Sequence, residues 1–251
     1  MDSQTIPAFV RTDLSRLGLR VSEEALCPLA SYLDLLLEAN TRFNLTAVRD
    51  RDEAWRRHII DSLTLLPFLE EVPAGGRVVD VGSGGGLPGI PIAIVRPDLR
   101  VTLVESTGKK ARFLTECVQR LGLTGCRVAT ERAEALARDP QHRQGYDVAV
   151  CRAIGPLVRV LEWTLPLVRV GGLLLAMKGP RVEQELGEAG DTMHALGAGE
   201  LQVFDAYPQG FGIDTVVVRI VKECPTPPGY AQPGSRSPAV VPKPKRRRPR
   251  R

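Results

Sequence analysis

Apolar residues recur at helical spacing over residues 5–18, through Ile6, Phe9, Val10, Leu14 and Leu17, and over residues 22–40, through Leu26, Leu29, Leu33, Leu36 and Leu37. Ser22 followed by Glu23 and Glu24 predicts an N-cap with acids in the first turn. Residues 44–46 read as a loop, and residues 52–69 as one or two helices carrying Trp55, His58, Ile59, Ile60, Leu63, Leu65 and Leu66. Pro73, Gly75 and Gly76 mark a joint, so residues 1–72 are expected to form a small helical cap. Beyond the joint the pattern alternates short apolar runs with amphipathic stretches. Strands are predicted at 77–81, 100–105, 126–130, 146–151 and 173–178, with helices at 88–95, 109–121, 133–138, 156–168 and 182–196. That alternation predicts an α/β, doubly wound parallel sheet. Two last strands, 201–207 and 215–222, are joined by a turn through Gly210, Phe211 and Gly212. So short a link cannot make a parallel crossover, so these strands must pair antiparallel and close the domain of residues 73–223.

A chain of 251 residues with a hydrophobic fraction of 43% can bury one large core and a small appendage. Five scattered cysteines without a C-x-x-C spacing imply neither a disulfide framework nor a zinc site, and three unclustered histidines argue against a metal centre. With no signal-peptide pattern and no run of membrane-spanning length, a soluble, cytoplasmic protein is expected, with a monomer as the default. Charge is uneven. Residues 225–251 hold eight Lys or Arg and no acid, more than the whole chain's net of +5, so the first 224 residues carry −3 on their own. The same tail contains eight prolines and few apolar residues, so residues 224–251 are expected to be disordered when free. It would serve either to engage phosphates or only to keep the chain in solution.

The chemistry concentrates where the first strand runs out. Val78, Val79, Asp80 and Val81 are followed by Gly82, Gly84, Gly85, Gly86 and Gly89, a strand-glycine-helix turn of the kind that binds nucleotide cofactors. Gly84, Gly86 and Gly89 satisfy the dinucleotide pattern G-x-G-x-x-G, while Asp80, Gly82, Gly84 and Gly86 satisfy the D-x-G-x-G-x-G loop of class I S-adenosylmethionine methyltransferases. The closing antiparallel hairpin favours the second. Glu105, ending the second strand, is placed to accept from both hydroxyls of a ribose, which either cofactor would need. Asp80 is expected to brace the loop amides or lie near a methionine moiety. Ala133 and Glu134 follow the third strand, where an adenine edge would lie, although Glu134 also reads as a helix N-terminal acid. Arg152 ends the fourth strand, and its guanidinium could bind a carboxylate or phosphate or simply sit on the surface. Lys178 ends the fifth, at the expected pocket rim. Cys151 has no histidine near it in sequence and reads as a packing residue.

Ordered motifs carry a closer likeness. Phe43-Asn44-Leu45-Thr46, Arg57-His58-Ile59-Ile60-Asp61-Ser62-Leu63, the glycine loop through Leu87-Pro88-Gly89-Ile90-Pro91, Glu105-Ser106, Gly108-Lys109-Lys110, Arg152-Ala153 and Lys178-Gly179 together resemble the RsmG (GidB) family of bacterial small-subunit rRNA methyltransferases. The resemblance covers residues 42–223. It implies methyl transfer from S-adenosylmethionine to N7 of a guanosine in the decoding-region loop of 16S rRNA, on naked RNA or a 30S precursor. Carried over by motif, the cofactor contacts fall on Gly82, Leu87, Ala133, Glu134 and Arg152, with Glu105 at the ribose. Gly84 and Asp80 join them from the loop. Asn44, His58 and Asp61 are expected near the substrate pocket, with His58 equally able to brace the cap. Lys245, Arg246, Arg247 and Arg248 are expected to meet RNA, although the tail only partly matches the family's C-terminal segment. Guanine N7 needs no deprotonation, so no acid or base is assigned, and Arg152, His58 and Lys178 are positioning candidates. An NAD-dependent oxidoreductase, a non-catalytic RNA-binding module and a small-molecule methyltransferase are the competing readings.

Overall fold

The computed structural model describes residues 6–180, 182–228 and 230. Its centre is one seven-stranded sheet, β1 (Arg77–Val81), β2 (Arg100–Val104), β3 (Cys126–Ala129), β4 (Tyr146–Arg152), β5 (Val168–Lys178), β6 (Ala198–Asp205) and β7 (Val216–Lys222), in the order β3-β2-β1-β4-β5-β7-β6. The first five strands run parallel, while β7 pairs antiparallel with both β5 and β6. This is the class I methyltransferase sheet expected from the alternation and the closing hairpin. Val78, Val79, Asp80 and Val81 are all buried because helices cover both faces of the parallel strands.

One face packs on α1 (Ala8–Arg16), α2 (Glu23–Asn40), α6 (Gly89–Val95) and α7 (Gly108–Arg120) in a core that includes Leu33, Trp55, Ile90, Leu103 and Leu114. The other packs on α8 (Ala133–Leu136), α9 (Leu157–Thr164) and α10 (Val182–Ala195) through Val79, Leu161, Leu174 and Ala189. The N-terminal helices therefore share one core with the sheet. Tyr32, fully buried on α2, donates its hydroxyl to the Gly85 carbonyl at 2.7 Å and bolts them to the glycine loop.

Residues 51–63 form one helical run, and a short helix follows it, within the expected one or two helices. α3 (Arg51–Ala54) passes through a wide π-type turn, Trp55–Ile60, into α4 (Asp61–Leu63), and α5 (Leu66–Leu69) follows. Ser22 takes the expected N-cap position of α2, with extended backbone and Glu23 and Glu24 in the first turn, but its side chain makes no hydrogen bond to the first-turn amides. The helix expected to reach residue 168 stops at Thr164, where Pro166 cannot continue it, and β5 begins at Val168. At the C-terminal end, buried Lys222 donates to the Leu165 carbonyl and to Thr226 Oγ1, the latter at 2.7 Å. Arg143 Nη2 donates to the carbonyls of Thr226 and Pro227 at 2.9 and 2.8 Å, so the chain is fastened to the body past Glu223.

Candidate functional site

β1 lies between β2 and β4, so connections leave the sheet in opposite directions on its two sides, and a crevice opens at the carboxyl ends of these strands. A cavity of about 430 Å³ occupies it, walled by residues 82–85, Leu87, Glu105, Ala133, Glu134, Arg152, Ile154 and Trp163. The loop needs glycine for two different reasons. Gly82 has φ +70°, and a Cβ there would fall 2.5 Å from Ile154 Cγ2. At Gly89 a Cβ would meet Asp80 Oδ2 at 2.6 Å, because the Gly89 amide donates to that oxygen at 3.0 Å. Asp80 is fully buried behind the loop and does not line the cavity. Its Oδ1 has no partner among the described residues. Burial pushes its carboxyl up to about 7, against the Gly89 amide, which favours the ionised form.

Glu105 ties the loop to α7. Its Oε2 accepts from the Gly84 amide at 3.0 Å and its Oε1 from the Thr107 amide at 2.7 Å. Each oxygen retains a second lone pair for a ligand hydroxyl. Across the cavity, Trp163 Nε1 donates to Glu134 Oε1 at 2.9 Å, fixing an indole beside the first turn of α8.

Arg152 turns towards the cap. Nη1 donates to Asp61 Oδ2 at 3.2 Å and to the Arg57 carbonyl at 2.7 Å, and Nη2 lies 3.3 Å from His58 Nδ1. The guanidinium is thus neither loose on the surface nor held open for a bidentate anion. Asp61 also accepts from the Tyr207 hydroxyl at 3.1 Å, and burial and the carboxylate together push that phenol up. His58 is buried, with Nε2 2.7 Å from Thr46 Oγ1 and Nδ1 2.9 Å from the Arg57 carbonyl. Desolvation, then the Arg152 charge, lower its pKa to about 4, so the ring is neutral at pH 7. A second cavity, about 320 Å³, lies on the other side of Arg152 and Ala153, lined also by Asp61, Lys178 and Glu185. Lys178 Nζ reaches the Gly155 carbonyl at 2.6 Å and Glu185 Oε2 at 2.5 Å, so it belongs to this second cavity and not to the rim of the first. Ala153 stands between the two with φ +55°, a strained conformation for a residue with a Cβ. Asn44 is exposed and lines neither cavity, whereas its neighbour Leu45 lines the first.

The family model for rRNA small subunit methyltransferase G, GidB, matches residues 26–209. The ribosomal RNA small subunit methyltransferase G of Sorangium cellulosum is 49% identical over 185 residues, covering 74% of this chain and 77% of that protein. The protein of the same name from Moorella thermoacetica is 41% identical over 213 residues, covering 85% of this chain and 88% of its own. The chain belongs to the rRNA small subunit methyltransferase G family. Among solved structures, a point mutant of MtNAS matches at TM-score 0.52 and 18% identity over 87% of this chain and 78% of that one, a likeness of fold alone. Family membership sets aside the oxidoreductase that the glycine spacing alone allowed.

For an rRNA small subunit methyltransferase G family member, several residues at the site were not legible in the sequence. Trp163 and Ile154 line the first cavity. Tyr207 reaches Asp61 from 146 positions away. Only the position of Trp163 in the helix after β4 offered a signal. Cys151 is buried, and its thiol is pushed up by desolvation, as befits packing. No group of His, Cys, Asp or Glu among the described residues is placed to hold a metal ion, and no helix there is long and apolar enough to cross a membrane. Lys245, Arg246, Arg247 and Arg248 lie outside the described residues.

Proposed function

We propose that this chain transfers a methyl group from S-adenosylmethionine to N7 of a guanosine in the decoding-region loop of 16S rRNA. The observation that carries the reading is the glycine-walled cavity at the switch point, in a member of this family, sharing Arg152 and Ala153 as walls with a second cavity. The first cavity suits a nucleoside. The spare lone pairs of Glu105 would hold ribose hydroxyls, the backbone at Ala133 and Glu134 with Trp163 would hold the purine, and the amides near Gly82, Gly84 and Leu87 would hold the amino-acid end. Arg152, its guanidinium engaged by the cap, would contribute its main chain and fix the wall.

When bound, S-adenosylmethionine supplies an electrophilic methyl group. Guanine N7 carries an exposed lone pair, so this chain need only hold the base in line and exclude water. His58, neutral at pH 7 because burial and the Arg152 charge lower its pKa, would brace the cap against Arg152. The second cavity, with Asp61, Lys178 and Glu185, would receive a base already unstacked or looped out. The test is methyl transfer from labelled S-adenosylmethionine to 30S subunits lacking the mark, with Gly82→Asp as the control. Label on a guanine N7, abolished by the substitution, is expected. Cofactor binding without labelling of rRNA in any assembly state would overturn the substrate.

A further inference from the structure

A third cavity, about 320 Å³, is lined by Arg42, Phe43, Lys109, Arg112, Phe113 and Glu116, and none of these residues belongs to the two cavities above. We infer that it is a cradle for one single-stranded nucleotide flanking the target guanosine, its base on Phe43 and its phosphate on Lys109 and Arg112. The inference rests on the rRNA methyltransferase reading and adds a place where the RNA is gripped.

Three observations carry it. The first is charge. Among the described residues, the exposed side chains of Lys109 and Arg112 make no ion pair or hydrogen bond, and Arg42 touches only Glu38, at 3.7 Å with both side chains more than half exposed. Glu116, the single acid, is already paired with Arg120 at 3.1 Å. The cradle is thus cationic even though the first 224 residues are net acidic. The second is an aromatic platform. Phe43 and Phe113 pack edge to face, with centroids 6.2 Å apart and planes at 77°. Phe113 is buried while Phe43 is half-buried, so one ring anchors the other and leaves it a surface for stacking. The third is place. Phe43 is two residues from Leu45, and Lys109 adjoins Lys110, and both of those neighbours line the cofactor cavity.

The test uses the full chain and reads RNA affinity separately from methyl transfer. Binding of a labelled single-stranded RNA carrying the target loop sequence is measured by anisotropy for wild type, for Lys109→Glu with Arg112→Glu, and for Phe43→Leu. Cofactor affinity and kcat against KM on 30S subunits are measured alongside. The charge reversal is expected to weaken RNA binding and raise KM at least tenfold and to leave cofactor affinity within about twofold. It should also flatten the salt dependence by about 0.7 in log–log slope for each phosphate no longer neutralised. Phe43→Leu is expected to weaken RNA binding about tenfold with the salt slope unchanged, the size of one base stack. Lys109→Arg with Arg112→Lys should restore both. Wild-type RNA affinity in the first two variants overturns the cradle, even where rRNA is still methylated. So does a defect seen only on whole subunits and not on RNA, which would give the surface to a ribosomal protein. Should the wild type bind RNA through the cradle yet label no rRNA, the cradle stands and the methylation reading falls.

Discussion

Arg152, at the end of β4, and Asp61, in the helical cap, form an ion pair of 3.2 Å between side chains only 19% and 7% exposed. It is the joint between cap and sheet, with His58, Arg57 and Tyr207 arranged around it. Removing one charge strands the other in a poorly solvated place. Asp61→Asn is therefore expected to lower stability by about 3 kcal/mol and weaken cofactor binding, as read by denaturant unfolding and calorimetry. A change below about 1 kcal/mol would show the joint to be solvent-screened.

Two buried groups pull stability in opposite directions with pH. His58, lowered from 6.5 to about 4, contributes stability present above pH 6.5 and lost as pH falls toward 4. Asp80, raised from 3.8 to about 7, contributes stability present below pH 3.8 and lost as pH rises toward 7. Between pH 4 and 6.5 the two slopes oppose each other. His58→Gln should leave a stability that falls with rising pH, and Asp80→Asn one that rises, each by up to about 1.4 kcal/mol per pH unit relative to wild type. Parallel curves for all three proteins would refute the assignment.

Gly82 combines φ +70° with a wall position against Ile154. Gly82→Ala is expected to cost about 1–3 kcal/mol of stability through strain and to weaken S-adenosylmethionine binding at least tenfold, measured by calorimetry. Gly84, also at positive φ but with only the Gly82 carbonyl near its would-be Cβ, at 3.8 Å, should lose less affinity on the same substitution.

Lys222 is buried with a pKa lowered to about 7 by desolvation, and Thr226 supplies one of its hydrogen bonds. A chain ending at Glu223 loses that partner and the carbonyls held by Arg143, and should unfold several degrees lower. A chain ending at Tyr230 keeps both sets of contacts and should melt above the shorter truncation. Equal melting of the two truncations would mean that the clamp adds nothing.

The sheet is legible in the sequence. Parallel strands buried on both faces leave unbroken apolar runs, glycines punctuate them, and a short final link forbids a crossover, so local sequence determined element order and the antiparallel close. It also placed Gly82, Glu105, Ala133, Glu134 and Arg152 at strand ends, where the topology gathers them around one cavity. What it could not reach was direction. The guanidinium of Arg152 turns to Asp61 and His58, and Lys178 to Glu185, whereas Asp80 braces the Gly89 amide as its place before the loop suggested. The choices at Arg152 and Lys178 depend on partners 91 and 7 positions away, brought close only by the folded chain. The same holds for the shared core of cap and sheet, and for Phe43 meeting Phe113. Periodicity records which side of an element is apolar, whereas the identity of its neighbour is decided by packing across the whole molecule.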